Sequence, residues 1–418
     1  MATAPQVPDV FDPRVFARGV PHAEFRRLRD TDPVAWQEEP EVMGWPAGPG
    51  YWAVTRYADV RYVLRTPELF SSWLGATQIR DPDPGDLDFI RRMILNMDPP
   101  EHNRLRRIVT AAFTRRRLER LTGQIAARAR GLLAGAVGRG GCDLPAEVTD
   151  DFPLANLSDL LGVPPGDRPL LLRWTNRVIG YQDPEHADVV TDAGGRPVNP
   201  RSPAALADMF GYARALAADK RRHPAEDLMT GLATASVDGR SLDDAELAMF
   251  FFLLVIAGND TVRSALPGGV LALLQHPAAA RALVARPGLL PSAIEEMLRW
   301  HPPVLSFRRT AAADTELGGR VIRRGDKVVV YHVSAHYDER AFPAPHVFDI
   351  TRTPNGHLAF GQGPHLCLGA HFARLQLHAF LTELLPLLPR LELAGEPVRL
   401  TSNFINGITH LPVAFTPA

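Results

Sequence analysis

The most informative segment of the chain is Phe360-Gly361-Gln362-Gly363-Pro364-His365-Leu366-Cys367-Leu368-Gly369. Two glycines and a proline form a tight loop, and a single cysteine follows just before a predicted helix at 370–387. A thiolate in this position lies near the positive end of the helix dipole, and backbone N–H groups can donate to its sulfur. The segment therefore favours a charged, metal-ligating Cys367. Most free cysteines are small buried apolar side chains, an interpretation that suits Cys142, which has no such loop.

The composition is that of an ordinary globular protein. Of the 418 residues, 45% are hydrophobic and 22% are charged, which excludes disorder as the main state. The 46 Lys and Arg residues balance 47 Asp and Glu residues to a net charge of −1, so no basic excess indicates a nucleic-acid partner. With only two cysteines, the chain has neither a disulfide framework nor a Cys-x-x-Cys pair for zinc or a redox dithiol.

The sequence predicts no membrane anchor. The longest apolar run, 249–258, covers about half of what a bilayer requires. The N-terminal segment lacks the basic and apolar regions of a signal peptide. No repeat, low-complexity block or Ser/Gly linker divides the chain. We therefore expect a monomeric, cytoplasmic protein with a single domain at 1–418.

Helical periodicity dominates the pattern, and the strand-like pieces are short. Helices are predicted at 101–117, 118–136, 203–222, 241–275, 289–300 and 370–387. Strands are predicted at 51–55, 315–317, 320–322 and 327–331, with Gly318-Gly319 as a hairpin turn. Segments 40–50 and 182–203 are predicted to be surface loops. The fold class is therefore mainly α with small β-sheets.

The helix predicted at 241–275 is the longest, at roughly 50 Å. Ser241 and Asp244 resemble a capping box at its start. Its apolar character on all sides indicates burial, yet its middle reads Ala257-Gly258-Asn259-Asp260-Thr261. A buried carboxylate is costly unless it is paired or functional, so this segment is either a functional site or a satisfied polar kink. Pro267 removes a backbone hydrogen bond and predicts a bend.

Four segments, in the right order, resemble the signatures of the cytochrome P450 family. The cysteine segment matches the haem-ligand signature Phe-x-x-Gly-x-x-x-Cys-x-Gly at every fixed position. Ala257-Gly258-x-Asp260-Thr261 resembles the oxygen-activating motif, and Glu296-Met297-Leu298-Arg299 resembles the Glu-x-x-Arg motif. The segment 98–106 resembles the bacterial motif that opens the helix over one haem edge. The resemblance extends from about Pro13 to the end and implies the P450 fold, with a long central helix over haem b.

The resemblance also implies how the haem is held. Cys367 would be the axial thiolate ligand of the iron, and Phe360 would pack against the haem near that sulfur. Gly363 and Gly369 would let the backbone approach closely. Ala257 would contact the cofactor and face the substrate.

Further residues would bind the propionates or support the cysteine loop. His102 and Arg106 share one helix face, so both can reach a propionate. The family pattern adds two more propionate contacts, which are Arg309 and His365. The alternative for these residues is an ordinary surface charge, an expectation that suits Arg308 better than Arg309. A buried triad that holds the cysteine loop would consist of Glu296, Arg299 and Arg352.

The central helix would carry the catalytic residues. Asp260 and Thr261 resemble the acid–alcohol pair that delivers protons to the dioxygen being reduced, and Gly258 would leave space for oxygen. This pair argues against the peroxide-driven members of the family, which lack it. The positions expected to face the substrate are Leu253, Ala257, Val304, Leu305, Phe404 and Ile405. Variable segments at about 72–95 and 174–203 would set the rest of the pocket.

The implied function is a bacterial haem-thiolate monooxygenase that hydroxylates a hydrophobic small molecule. Electrons would come from NAD(P)H through a ferredoxin and its reductase, because no flavin or iron–sulfur domain fits in the chain. The segments 95–98, 257–261 and 403–407 resemble the actinobacterial sterol and branched-lipid hydroxylase branch. A tailoring enzyme for a natural product, with a free or carrier-bound substrate, is an equal expectation. The alternatives are an oxidase for ring closure, aryl coupling or C–C cleavage, and a haem sensor without turnover.

A basic patch is predicted where the electron donor docks. Arg104 and Arg107 are three residues apart and lie on a different helix face from His102 and Arg106, with 115–117 following closely. Such a patch would suit an acidic ferredoxin. The alternative is that these are solvated arginines in an arginine-rich chain.

Overall fold

The structure is a computed structural model that describes residues 9–83, 85–179 and 202–416. The helices in these ranges are α1 (Pro13–Ala17), α2 (His22–Thr31), α3 (Tyr57–Arg65), α4 (Leu87–Ile90), α5 (Glu101–Ala112), α6 (Arg115–Gly138), α7 (Asp151–Leu161), α8 (Arg168–Ile179), α9 (Ala207–Arg222), α10 (Leu228–Thr234), α11 (Asp244–Gln275), α12 (Pro277–Ala285), α13 (Leu290–Trp300), α14 (His332–Ala335) and α15 (Ala370–Leu384). The strands are β1 (Val34–Gln37), β2 (Tyr51–Val54), β3 (Phe70–Ser71), β4 (Gly141–Asp143), β5 (Ser236–Val237), β6 (Arg240–Ser241), β7 (Ser306–Ala311), β8 (Thr315–Leu317), β9 (Arg320–Ile322), β10 (Lys327–Tyr331), β11 (Leu391–Leu393), β12 (Val398–Arg399), β13 (Ile408–His410) and β14 (Pro412–Phe415). The prediction of a mainly helical fold with small sheets is confirmed.

The largest described sheet has five strands in the order β1-β2-β10-β7-β3. β2 and β10 run parallel, and the other neighbours are antiparallel. The strands predicted at 51–55 and 327–331 form its centre, and β8 and β9 form the predicted hairpin around Gly318-Gly319. The sequence pattern does not predict β7, because Arg308-Arg309 interrupts its alternation of apolar and polar residues.

The long helix α11 is the centre of the helical body. It is buried along most of its length and packs against α7, α8, α9, α13 and α15. The helix continues through Pro267, which is itself buried. The helix α11 is long and apolar enough to cross a membrane. Buried core helices of proteins outside membranes share this length and composition, so the property is weak evidence for a membrane span. Its burial among the surrounding helices explains its apolar character.

Several predicted helix boundaries are wrong; the helix predicted at 118–136 spans Arg115–Gly138, and the helix predicted at 370–387 ends at Leu384. The helix predicted at 101–117 ends at Ala112, because Phe113 leaves the helical conformation and Thr114 caps α6 by accepting from the backbone N–H of Arg117 at 3.3 Å. The helix predicted from 203 begins at Ala207. The loop predicted at 182–203 lies almost entirely outside the described residues.

The capping box predicted at Ser241 and Asp244 is also wrong. Ser241 belongs to β6. The box is formed by Asp243 and Glu246, each of whose carboxylates accepts from the other's backbone N–H, at 2.7 and 3.0 Å. The short hairpin of β5 and β6 therefore moves the N-cap from Ser241 to Asp243.

Candidate active site

A cavity of about 520 Å³ lies between α11, α5, the cysteine loop and the C-terminal segment. Most residues that the sequence predicts for the site line this cavity. They are His102, Arg106, Leu253, Ala257, Gly258, Asp260, Thr261, Val304, Arg309, Phe360, His365, Cys367, Gly369, Phe404 and Ile405. The structure therefore brings together residues from segments more than 300 positions apart in the chain.

Local hydrogen bonds shape the cysteine loop. The backbone N–H of Cys367 donates to the carbonyl of Phe360 at 2.9 Å, and the N–H of Leu366 donates to the carbonyl of Gly363 at 3.1 Å. From α5, the Arg106 guanidinium donates to the Leu366 carbonyl at 2.6 Å. The loop thus closes on itself, and α5 ties it to the cavity wall.

Two predicted site residues do not line the cavity. Leu305 is 1% exposed and packs into a separate core with Val329 and Tyr331, because its backbone N–H pairs with the carbonyl of Phe404 and its side chain faces away. Gly363 is expected to let the backbone approach the cofactor, but it lies against another part of the protein. A Cβ at Gly363 would lie 2.4 Å from the carbonyl oxygen of Leu64 in α3.

Gly258 lines the cavity, but packing gives a further reason for a glycine there. A Cβ at Gly258 would lie 3.1 Å from Cδ1 of Leu157 in α7. The helices α7 and α11 can approach closely because this position has no side chain. No sequence signal marks this contact.

The thiol of Cys367 faces the cavity and is surrounded by protein on its other sides, so its exposed surface opens into the cavity. Burial raises the pKa of this thiol above its ordinary value. The backbone N–H of Gly369 and the positive charges of Arg106 and Arg374 act in the opposite direction. The expected stabilisation of a thiolate by a backbone N–H at the helix start is therefore present. Two arginine charges, which the sequence pattern does not predict, add to it, and burial of the thiol opposes both.

Four basic side chains converge at one edge of the cavity. The rings of His102 and His365 lie 4.3 Å apart between centroids. Arg309 is 3% exposed, and within the described ranges no carboxylate forms an ion pair with it. Burial lowers the pKa of Arg309 to about 10. Burial, helped by Arg309, His102 and Arg106, lowers the pKa of His365 to about 2. Because burial lowers the pKa of both His102 and His365, the positive charge of this cluster belongs to Arg106 and Arg309, and the two imidazoles act as neutral hydrogen-bonding groups. This combination suits anionic groups such as carboxylates.

Asp260 and Thr261 lie on α11 at the cavity wall. The Thr261 hydroxyl donates to the carbonyl of Ala257 at 2.8 Å, which leaves its oxygen lone pairs available to the cavity. The Asp260 side chain is 6% exposed, and one oxygen lies 3.6 Å from the Arg263 guanidinium. Burial raises the pKa of Asp260 to about 7, although the charge of Arg263 opposes this shift.

Comparison with known proteins identifies the family. The cytochrome P450 family model matches residues 284–388. The steroid C26-monooxygenase of Mycobacterium tuberculosis is 36% identical over 414 residues, which are 98% of this chain and 92% of that protein. The methyl-branched lipid omega-hydroxylase of the same organism is 39% identical over 397 residues, which are 94% and 90% of the two chains. The chain belongs to the cytochrome P450 family.

Solved structures agree with this assignment. A Mycobacterium marinum cytochrome P450 in complex with pseudoionone is 37% identical, with a TM-score of 0.86 over 99% of this chain and all of that one. A P450 from Novosphingobium aromaticivorans has the same TM-score at 33% identity. The protein is thus an oxidoreductase of the P450 monooxygenase class, and its cofactor is haem b. The cavity fits this cofactor, because a thiol lies in its wall and a basic cluster at its edge suits two propionates.

Arg308 differs from its neighbour, and the expectation of an ordinary surface charge is wrong. Arg308 is 3% exposed and forms an ion pair with Asp81 at 2.6 Å. Its backbone N–H donates to the carbonyl of Thr77 at 2.9 Å. Lys327 also reaches Asp81, at 2.7 Å. Arg308 therefore fastens loop 75–81, much of which lines the cavity of this P450.

The predicted triad joins a fully buried pair, Glu296 and Arg299, to the partly buried Arg352. Glu296 and Arg299 make two parallel bonds of 2.7 and 2.8 Å, and Arg352 donates to Glu296 at 3.1 Å. Arg299 also donates to the carbonyls of His336 and Pro345. These bonds fasten α13 to the segment that leads to the cysteine loop.

Sequence reasoning missed a second set of supports. The imidazole of His336 bonds to the carbonyl of Arg299 at 2.9 Å and accepts from the backbone N–H of Leu358 at 2.8 Å. Glu295 accepts two bonds of 2.7 Å from Arg374, whose guanidinium lies 4.3 Å from the Phe360 ring centroid. No local sequence signal marks these residues, because their partners are 22 to 79 positions away.

The predicted basic docking patch is only partly free. Arg104 is 19% exposed and pairs with both Glu101 and Glu246, so it links α5 to the start of α11. Arg107 is 62% exposed and lies 3.4 Å from Asp238. Arg104 therefore contributes to helix packing, and it is not available as a docking charge.

Proposed function

We propose that this P450 inserts one oxygen atom into a C–H bond near the end of an extended apolar molecule, such as a steroid or terpenoid side chain or a methyl-branched lipid. The supporting observation is that Asp260, Thr261 and Cys367 line one cavity whose remaining wall is mainly apolar. The names of the relatives support the substrate class, because a steroid C26-monooxygenase and a lipid omega-hydroxylase both act on chain ends.

The proposed haem contacts divide into one ligand and one anion site. Cys367 would ligate the iron, and the edge cluster would hold the two propionates through His102, Arg106, Arg309 and His365. When bound, the haem supplies the activation of dioxygen, which a thiolate ligand favours. Phe360 and Arg374 stack beside the cysteine loop and would keep the sulfur in a fixed position.

The proposed proton donors are Asp260 and Thr261. A carboxyl with a pKa near 7 can both release and regain a proton at neutral pH. Thr261 lies next in the chain, and its hydroxyl oxygen can accept a hydrogen bond from a water or from a reacting group in the cavity. Both residues would therefore move protons at the wall that α11 contributes to the cavity.

The apolar wall would orient the substrate. Its large side chains come from α4, α7, α11 and the C-terminal segment, and they include Phe89, Leu157, Leu160, Phe250, Leu253 and Phe404. These apolar side chains cannot hydrogen-bond a substrate, so the position of the substrate along the cavity would decide which carbon is oxidised. Extended molecules, branched or not, would then be oxidised at their ends.

The substrate proposal is tested with a panel of ligands and by product analysis. Sterols with intact side chains, methyl-branched fatty acids and acyclic terpenoids should shift the haem from low to high spin, and mass spectrometry should locate the new hydroxyl at a chain end. Short aromatic compounds serve as the control panel. Oxidation confined to aromatic rings, or coupling products without inserted oxygen, would contradict the proposal.

We also propose that an acidic ferredoxin, reduced by its reductase from NAD(P)H in the cytoplasm, docks over the cysteine loop. Leu366 is 48% exposed there. Arg61 and Arg65 are exposed on α3, which touches the loop at Gly363. The two arginines are four residues apart and share a helix face. An apolar contact flanked by positive charge suits an acidic partner.

The docking proposal predicts a salt-dependent defect. Arg61→Glu with Arg65→Glu should slow reduction by ferredoxin at low salt, and the difference from wild type should narrow as salt rises. Arg281→Glu, a change on the exposed surface of α12, is the matched control. Stopped-flow reduction rates equal to wild type at low salt would place the donor elsewhere.

A further inference from the structure

Asp260 borders two cavities. Besides the large one, a small cavity of about 40 Å³ lies between α8, α11 and the β12–β13 hairpin. Asp260 and Ile405 line both. The other lining residues of the small cavity are Thr175, Asn176, Arg263, Ser264, Leu400, Gly407, Ile408 and Thr409. We call it the side cavity.

Two polar atoms at the side cavity lack partners. Oδ2 of Asp260 and Oγ1 of Thr175 are buried, and neither has a hydrogen-bond partner within the described part of the chain. Buried polar atoms are nearly always satisfied by protein or by ordered water. A volume of 40 Å³ holds roughly two water molecules. The side cavity is therefore suited to water that bridges Thr175 and Asp260.

Arg263 would be expected to pair fully with Asp260, three residues before it on α11. Instead its Nε donates to Asp150 at 2.7 Å and its Nη1 donates to Asn176 at 3.2 Å. The Asp260 carboxylate is left 3.6 Å from the guanidinium, beyond hydrogen-bond distance. Asp150, at the start of α7, thus takes a hydrogen bond from Arg263, and Asp260 keeps only an ion pair with the guanidinium.

We propose that protons reach Asp260 from the side cavity, and that the Asp150–Arg263 pair positions the guanidinium so that the Asp260 carboxyl can hold a proton. This inference rests on the proposed role of Asp260 as proton donor. Arg263 and Asp150 are the charged groups that act on Asp260 in the described structure. Arg263 favours the charged carboxylate, whereas Asp150 favours the neutral acid.

The positioning role predicts shifts of opposite sign. Arg263→Met should raise the pH at which Asp260 titrates, and Asp150→Asn should lower it, each by about one pH unit or more. The measurement is an infrared titration of the carboxyl C=O band in the haem-loaded enzyme, with Asp260→Asn used to assign the band. A merely structural role for these two residues would not move the band in opposite directions. Shifts of the same sign, or no shifts, would overturn the positioning role.

The route itself is tested by removing one hydroxyl. Thr175→Val should slow the proton-dependent step roughly tenfold and increase the solvent isotope effect, because the water loses a partner. Haem content and the substrate-induced spin shift should stay unchanged. Thr149→Val is the matched control, since its hydroxyl is also buried without a described partner but lines neither cavity.

The outcomes separate this inference from the proposed function. If Thr175→Val matches Thr149→Val in isotope effect and coupling, the side cavity is not the proton route. If Asp260→Asn also turns over with full coupling, the proposed role of Asp260 fails as well. If Asp260→Asn is impaired while Thr175→Val is not, the proposed function stands and only the inference is overturned.

Discussion

Gly361 and Gly363 allow the geometry of the cysteine loop to be tested by a matched pair of substitutions. Both have left-handed backbones, with φ of +69° and +73°. They differ in what a side chain would meet: a Cβ at Gly361 would lie 3.7 Å from the nearest atom, whereas a Cβ at Gly363 would lie 2.4 Å from the Leu64 carbonyl oxygen. The first contact is ordinary, and the second requires the backbone of α3 to move by about 1 Å.

These distances set the expected magnitudes. Gly361→Ala should cost about 1–2 kcal/mol, the cost of a left-handed conformation for an L-residue. Gly363→Ala should cost the same amount plus about 1–3 kcal/mol for overpacking against a rigid backbone. Because folded domains are stable by only about 5–15 kcal/mol, the second change should be much more damaging.

The assay combines urea unfolding of the haem-loaded protein with its haem content. We expect Gly363→Ala to unfold at lower urea than Gly361→Ala and to lose more haem, because displacement of α3 also displaces the loop that carries Cys367. Equal unfolding midpoints and equal haem content for the two variants would refute the reasoning, since strain from φ alone would then explain both.

Three further predictions concern the ligand, the proton donors and the acid limit. Cys367→His should abolish the strongly red-shifted Soret band of the reduced carbon monoxide complex, whereas Cys142→Ser should retain it; persistence in Cys367→His would exclude thiolate ligation. Thr261→Ala should divert electrons to peroxide or excess water, and Asp260→Asn should slow turnover by roughly 10²–10⁴-fold; wild-type coupling and turnover in both would remove their role. Burial raises the pKa of Glu295, but bonds from its arginine and histidine partners outweigh it and lower the pKa from 4.5 to about 2. This stabilisation is present above about pH 4.5 and is lost as the pH falls towards 2, so Glu295→Gln should destabilise the protein at pH 7 and show a flatter decline in acid; parallel curves from urea unfolding across this range would contradict it.

The parts of the site that sequence predicts are those with local signals. The cysteine loop combines glycines, a proline and a following helix within ten residues, and α11 shows a polar interruption in an apolar helix. Both features depend on residues that are close together in the sequence, and hydrophobic periodicity and the preferences of turn residues reveal such local features. Asp260, Thr261 and Cys367 are therefore recognisable from the amino-acid sequence alone.

Contacts between distant segments could not be predicted in the same way. The packing of Leu157 against Gly258 depends on how closely α7 and α11 approach. The bonds of His336 link the end of α13 to the segment before the cysteine loop, and the sequence around it has no distinguishing pattern. The same limit applies to Thr175 and Arg263, whose relation to Asp260 arises only where α8 meets α11.

The two adjacent arginines of β7 show how one missed strand affects the interpretation of a site. In a strand, successive side chains point to opposite faces. Phe307 and Arg309 therefore share the face that lines the large cavity, whereas Arg308 points to the other face and binds Asp81. If β7 is not predicted, only the family resemblance indicates that Arg308 and Arg309 point to opposite faces. The strand itself thus directs one arginine to the cavity and the other to loop 75–81. If Arg309 holds a propionate as proposed, Arg309→Met should lower the haem content, whereas Arg308→Met should leave the haem content unchanged and alter the substrate-induced spin shift.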